Sequence, residues 1–178
     1  HRDLHRVDRR QRQMCIRDRA DTGMRLAEVA GLLRSDFIQQ DGILCVNIKP
    51  HPWRSLKTTS SARIIPLVGS AKWSAERILA VPDDSPFVFP QYNDGVRTNA
   101  NSASAALNKW LKLRIGQDYT VHSFRHSMRD RLRAVECPSD VIDQIGGWLT
   151  YGVGSSYGSG YSVGIQHDWL RKITDWVL

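Results

Sequence analysis

Residues 36–50 read DFIQQDGILCVNIKP, two apolar-rich runs on either side of Asp41-Gly42. A DG pair in that setting is a strong hairpin signal, because a two-residue turn needs positive φ and Gly reaches it without steric penalty. Just downstream, ARIIPLV (Ala62 to Val68) reads as a third strand. Pro66 has no N–H to give to a ladder, which points to an edge or an end of the sheet. Upstream, RLAEVAGLL (Arg25 to Leu33) sets Leu26, Val29, Ala30 and Leu33 on one helical stripe. Beyond the strands the chain turns helical. SAKWSAERILA (70–80) is short and amphipathic and precedes a Pro-rich link, PDDSPFVFP. Asn99 to Arg114 places Ala103, Leu107, Trp110 and Leu111 at helical spacing. Val121 to Val135 is another helix, stopped by Cys137-Pro138, and SDVIDQI (139–145) ends at Gly146-Gly147. A Gly/Ser-rich stretch, TYGVGSSYGSGYS (150–162), leads into a last helix carrying Trp169, Leu170, Ile173 and Trp176. The fold class expected is α+β and mainly helical, with several helices packed around a small three-stranded antiparallel sheet.

The chain has 178 residues, 41% hydrophobic and 24% charged, which suits one domain with a single core. No run of eighteen apolar residues occurs, so no membrane span is expected, and the Arg-rich start has no apolar segment of a secretory signal. Three cysteines, Cys15, Cys45 and Cys137, are odd in number and scattered, offering neither a disulfide framework nor a CxxC clamp; a reducing cytoplasm is the default. Net charge is +7, but residues 1–19 hold seven Arg and three Asp, a net of +4, leaving +3 for residues 20–178. Bulk charge alone is therefore a weak argument for nucleic acid. The first nineteen residues carry no apolar stripe. They are either a basic DNA-binding arm or a disordered, non-native tail, the second being preferred because MCIRDR (14–19) looks like translated adapter sequence. The expected division is thus a tail at 1–19 and a folded domain at 20–178.

Several residues could carry chemistry. On the Val121–Val135 helix, His122 and Arg125 stand three apart and share a face, with His126 and Arg129 on or near it. Taken alone, that helix reads first as a solvated basic face, and a metal at His122 and His126 lacks an evident third ligand. Arg25 follows Thr22-Gly23 at a helix start, and Lys57 lies in SLKTTSSAR between the hairpin and the third strand; singly, each is an ordinary surface cation. Tyr151, Tyr157 and Tyr161 stand in the Gly/Ser stretch.

Taken together and in order, TGMRLAEVAGL, LKTTSSARIIPL, HSFRHS, IGGW and SSYGSGYS resemble the catalytic domain of the tyrosine recombinases, the phage-integrase family, over about residues 21–173. The resemblance implies a catalytic set of Arg25, Lys57, His122, Arg125, Trp148 and Tyr157. Trp148, in GGW, occupies a position that is usually His. Tyr157, nine residues beyond Trp148, is the implied nucleophile, whereas Tyr151 at three and Tyr161 at thirteen fit poorly. Glu28, one turn after Arg25, reads either as a group that orients Arg25 or as a plain surface residue. Two departures stand out. The charged stretch 1–19 occupies the place of an apolar helix, and the separate N-terminal core-binding domain that clamps DNA in the family is missing from the sequence.

The implied reaction is site-specific recombination of double-stranded DNA through a 3′-phosphotyrosine. No cofactor and no metal are expected, because Arg25 and Arg125 would supply the positive charge. Lys57 would act as general acid, and His122 would donate to a phosphate oxygen or handle the tyrosine proton. Trp148, which can only donate, would give one hydrogen bond and hold Tyr157 in line. A homotetramer in the synaptic complex and a monomer or weak oligomer otherwise are implied, as is a bacterial or phage-encoded protein acting on the nucleoid. The alternatives are a type IB topoisomerase-like relaxing enzyme and a catalytically inactive DNA-binding remnant.

Overall fold

The computed structural model describes residues 20–58, 61–82, 84–148 and 160–174. The sequence reading of residues 1–19, Tyr151, Tyr157 and Trp176 lies outside them. Among the described residues, six α-helices surround one three-stranded sheet of order β1-β2-β3. The strands are β1 (Phe37–Gln40), β2 (Ile43–Ile48) and β3 (Arg63–Pro66). Gln40 faces Ile43 across the β1–β2 turn, and Asp41 and Gly42 both take positive φ, 53° and 75°. That is the two-residue turn the DG pair announced. Among the described residues β3 pairs only on its β2 side, with Pro66 opposite Cys45, so the edge expected from Pro66 is borne out.

The helices are α1 (Leu26–Ala30), α2 (Gly69–Ala80), α3 (Ala100–Arg114), α4 (Ser123–Ala134), α5 (Ser139–Gly146) and α6 (Val163–Thr174). α1 is shorter than the Arg25–Leu33 stripe suggested. It stops at Gly31, and Leu33 instead bridges to Phe87 while Arg34–Asp36 form a 3₁₀ turn. The N-cap of α3 is Asn99, whose side chain accepts from Ser102 N–H. α5 ends as the GG pair predicted, with Gly147 in the left-handed region at φ 63°.

β3 is packed between α5 and α6, α4 lies against both of those helices, and α1 rests on α3. The core gathers Val29 and Ala30 of α1, Val46 and Ile48 of β2, Ile65 of β3, Leu107 and Leu111 of α3, Met128 and Leu132 of α4, Ile145 of α5, and Leu170 and Ile173 of α6. Val29 and Ala30 of the first stripe, Ala103, Leu107 and Leu111 of α3, and Leu170 and Ile173 of α6 are buried as their spacing suggested. No helix among the described residues is long and apolar enough to cross a membrane.

Candidate active site

The segment Asp21-Thr22-Gly23 is where the site begins. Asp21 is buried; its carboxylate accepts from Ser70 N–H at 2.8 Å and from Arg131 of α4 at 3.1 Å. Gly23 has φ +61°, and a Cβ there would stand 2.1 Å from Met128 Cε. A side chain there would be strained by the positive φ and would have to push the end of Met128 aside, so glycine suits this turn against α4. The close approach brings the Gly23 carbonyl to Arg125, whose Nη1 donates to it. Arg125 is 3% exposed, so the reading of α4 as a solvated basic face fails at that arginine, which points inward, although His122 and His126 are exposed.

Arg25, two residues on, lies at the start of α1. Its Nη1 donates to Glu28 Oε1 at 2.8 Å and to Ser61 Oγ at 2.9 Å, and its Nη2 donates to the Gly147 carbonyl at 3.0 Å. Glu28 is 3% exposed and is no surface residue. It also accepts from the Arg25 backbone N–H at 2.8 Å, closing the first turn of α1. Burial by itself would raise the Glu28 carboxyl, but the charge of Arg63 and hydrogen bonds from Arg63 and Arg25 outweigh it and hold the group below the usual carboxylate range.

Trp148 follows the left-handed Gly147 and is half-buried. Its ring lies under the Arg125 guanidinium at 4.0 Å and the Arg129 guanidinium at 4.7 Å, while Arg129 pairs with Asp143 at 3.1 Å. Cation–π contact of this kind fixes the plane of a guanidinium as well as attracting it. One connected network therefore joins Arg25, Glu28, the Gly147-Trp148 turn and Arg125. His122 stands exposed at the start of α4, with its ring edge-on to His126 at 4.7 Å. Lys57 is exposed in the link before β3, next to Thr58, whose hydroxyl is 2.9 Å from Ser61 Oγ. It is thus two hydrogen-bonded neighbours from Arg25.

Of the tyrosines, Tyr161 is occupied elsewhere. Its hydroxyl donates to Asp140 Oδ2, its backbone binds the Gln144 side chain in both directions, at 2.8 and 2.9 Å, and Asp140 pushes its phenol up. A phenol held by a carboxylate is a poor nucleophile. Burial pushes the thiols of Cys45 and Cys137 up to about 11, which leaves both as core residues.

Sequence reasoning missed Arg63. Its side chain is 4% exposed and makes a bidentate pair with Glu28 at 3.0 and 3.3 Å. A signal existed: in β3, Arg63 shares a face with Ile65, which is fully buried, so period-2 alternation aims it inward. Ser61, whose fully buried side chain accepts from Arg25, was also missed and has no local signature.

The phage integrase family model matches residues 9–157, and the chain belongs to that family. The fold is similar to that of the Tn1549 transposon integrase in two structures with circular intermediate DNA. Each has a TM-score of 0.53 and 18% identity over 80% of this chain. The chain spans 55% and 56% of those two chains. No curated protein sequence matches.

Proposed function

We propose that this chain is the catalytic part of a site-specific recombinase that cuts and rejoins double-stranded DNA. The observation that carries the reading is the convergence of Arg25 and Arg125 on one turn, Arg25 through the Gly147 carbonyl and Arg125 over the Trp148 ring, within a chain of the phage integrase family. The planar fork of a guanidinium suits the equatorial oxygens of a phosphate. Water would have to reorganise around the extra negative charge of the transition state, whereas these groups are already oriented.

In the reaction, the Tyr157 phenolate forms a bond to phosphorus and the bond from phosphorus to the 5′-oxygen breaks. Lys57, exposed in the link before β3, gives its proton to that departing oxygen, leaving a 3′-phosphotyrosine and a 5′-hydroxyl. Attack by the 5′-hydroxyl of another strand reverses the step, so phosphodiester energy is conserved. The arginines favour ionisation of a phenol whose ordinary pKa is about 10. His122 donates to a phosphate oxygen or takes the phenol proton. Trp148 adds a hydrogen bond from its indole N–H and holds the plane of Arg125. A homotetramer on paired DNA sites is the assembly in which two duplexes exchange strands.

The test is covalent capture. A duplex with one 5′-bridging phosphorothiolate in randomised flanks is incubated with the full chain and run on a denaturing gel, followed by peptide mapping. The expected adduct is on Tyr157 and is lost in Tyr157→Phe with duplex binding kept. An adduct on Tyr151 or Tyr161, or none with native chain, overturns the reading.

A further inference from the structure

We infer that Arg63 is a positioning residue for Arg25: its guanidinium, enclosed at the junction of β3, α1 and α5, holds in place every protein group that anchors Arg25. The inference rests on the reading of Arg25 as a phosphate-gripping group. Arg25 is anchored by Glu28, by Ser61 and by the carbonyl of Gly147. Arg63 touches the neighbourhood of all three. Its Nη2 donates to Glu28 Oε2 at 3.0 Å and its Nη1 to Glu28 Oε1 at 3.3 Å. Its Nη1 also donates to the Ser61 carbonyl at 2.6 Å, and its Nε to the Ile145 carbonyl at 2.8 Å, two residues before Gly147.

Arg63 also bears on the turn that carries Trp148. A Cβ on Gly147 would stand 2.7 Å from Arg63 Nη1, so the guanidinium fills the space a side chain would take. The carbonyl of Gly147 is thereby turned toward Arg25 in a left-handed conformation that a glycine adopts cheaply. A lysine could meet the charge of Glu28 but not span a carboxylate and two carbonyls at once, which takes a planar fork. The Arg63 side chain is 4% exposed, and its donors are spent on protein groups. Its effect on the reaction must pass through Arg25 and its anchors.

Three measurements test this on five forms of the full chain: native, Arg63→Met, Arg63→Lys, Arg25→Lys and the double variant Arg25→Lys/Arg63→Met. The single-turnover rate of adduct formation is read on the phosphorothiolate duplex at saturating DNA, with duplex affinity read separately by anisotropy. A misplacement of about 1 Å is worth on the order of a hundredfold in rate, so Arg63→Met should slow adduct formation on that scale while affinity holds. In the Arg25→Lys background the same change should add much less, because the residue it positions is already altered. Arginine side-chain ¹⁵N spectra supply a readout that needs no DNA. Restrained, separately resolved Arg25 Nη signals are expected in native chain and averaged ones in Arg63→Met, with Arg63→Lys between.

Equal slowing in both backgrounds, or Arg25 signals unmoved by Arg63→Met, overturns the inference. If Arg63→Met does not fold, Arg63→Lys decides by the same spectra and rates. If native chain forms no adduct, the recombinase reading falls, and the spectra still decide whether Arg63 restrains Arg25.

Discussion

Glu28→Gln removes one charge from a buried pair and leaves the shape of the side chain almost unchanged. Glu28 and Arg63 are 3% and 4% exposed and meet at 3.0 Å, so solvent screens the pair little. At that separation and an effective dielectric constant near 20, the gross attraction is about 5 kcal/mol. Glutamine is also cheaper to desolvate than a carboxylate, which returns part of this, and its carbonyl still accepts one guanidinium N–H. Breaking a buried pair typically destabilises by about 3–5 kcal/mol. With the retained hydrogen bond, about 2–4 kcal/mol is expected here. For 178 residues at about 2.1 cal/mol/K each, the melting temperature should fall by about 5–11 °C.

The sign of the pH dependence follows from the depressed carboxyl. A carboxylate with a lowered folded-state pKa stabilises fully above its unfolded value, about 4.3, and loses that contribution as pH falls through the folded value. The gap between native chain and Glu28→Gln should therefore be full at pH 7, shrink below about pH 4 and close in stronger acid. Urea unfolding, followed by tryptophan fluorescence across that range, measures it. A gap under about 1 kcal/mol at pH 7, or one that persists undiminished in acid, would refute the reasoning.

The other predictions concern the chemistry and the turn beside it. Arg125→Ala should slow adduct formation by about 10²–10³, as loss of a preorganised donor does, while duplex affinity falls much less. Equal losses in both would reduce Arg125 to an ordinary backbone contact. Lys57→Ala should slow cleavage of an ordinary duplex by about 10²–10⁴ yet cleave the phosphorothiolate duplex nearly as native chain does. A thiolate leaving group, with a pKa near 8.5, needs no general acid, so a defect equal on both substrates would remove Lys57 from that role. Gly147→Ala should cost about 1–2 kcal/mol from its left-handed backbone alone, and more because its Cβ meets Arg63. Thermal melting in native and Arg63→Met backgrounds should show the second part vanish in the latter.

Much of this architecture was legible in the chain because its signals are local. Asp41-Gly42 announces its turn through the φ values that turn needs, Pro66 announces an edge by lacking a donor, and Gly147 announces a helix end. The three-residue step from His122 to Arg125 is likewise a property of one helical turn. What the sequence left open is which charged residues turn inward. Arg125 and Arg129 lie one turn apart on α4, yet Arg125 is buried beneath the Gly23 turn while Arg129 stays half-exposed against Trp148 and Asp143. Glu28 reads as a surface residue or an orienting one until Arg63, thirty-five positions away, reaches it from β3. Gly147 meets Arg25 across 122 positions. No local preference encodes such meetings. A charge goes inside only where partners from several elements converge to offset its desolvation, and only the tertiary structure decides where they converge.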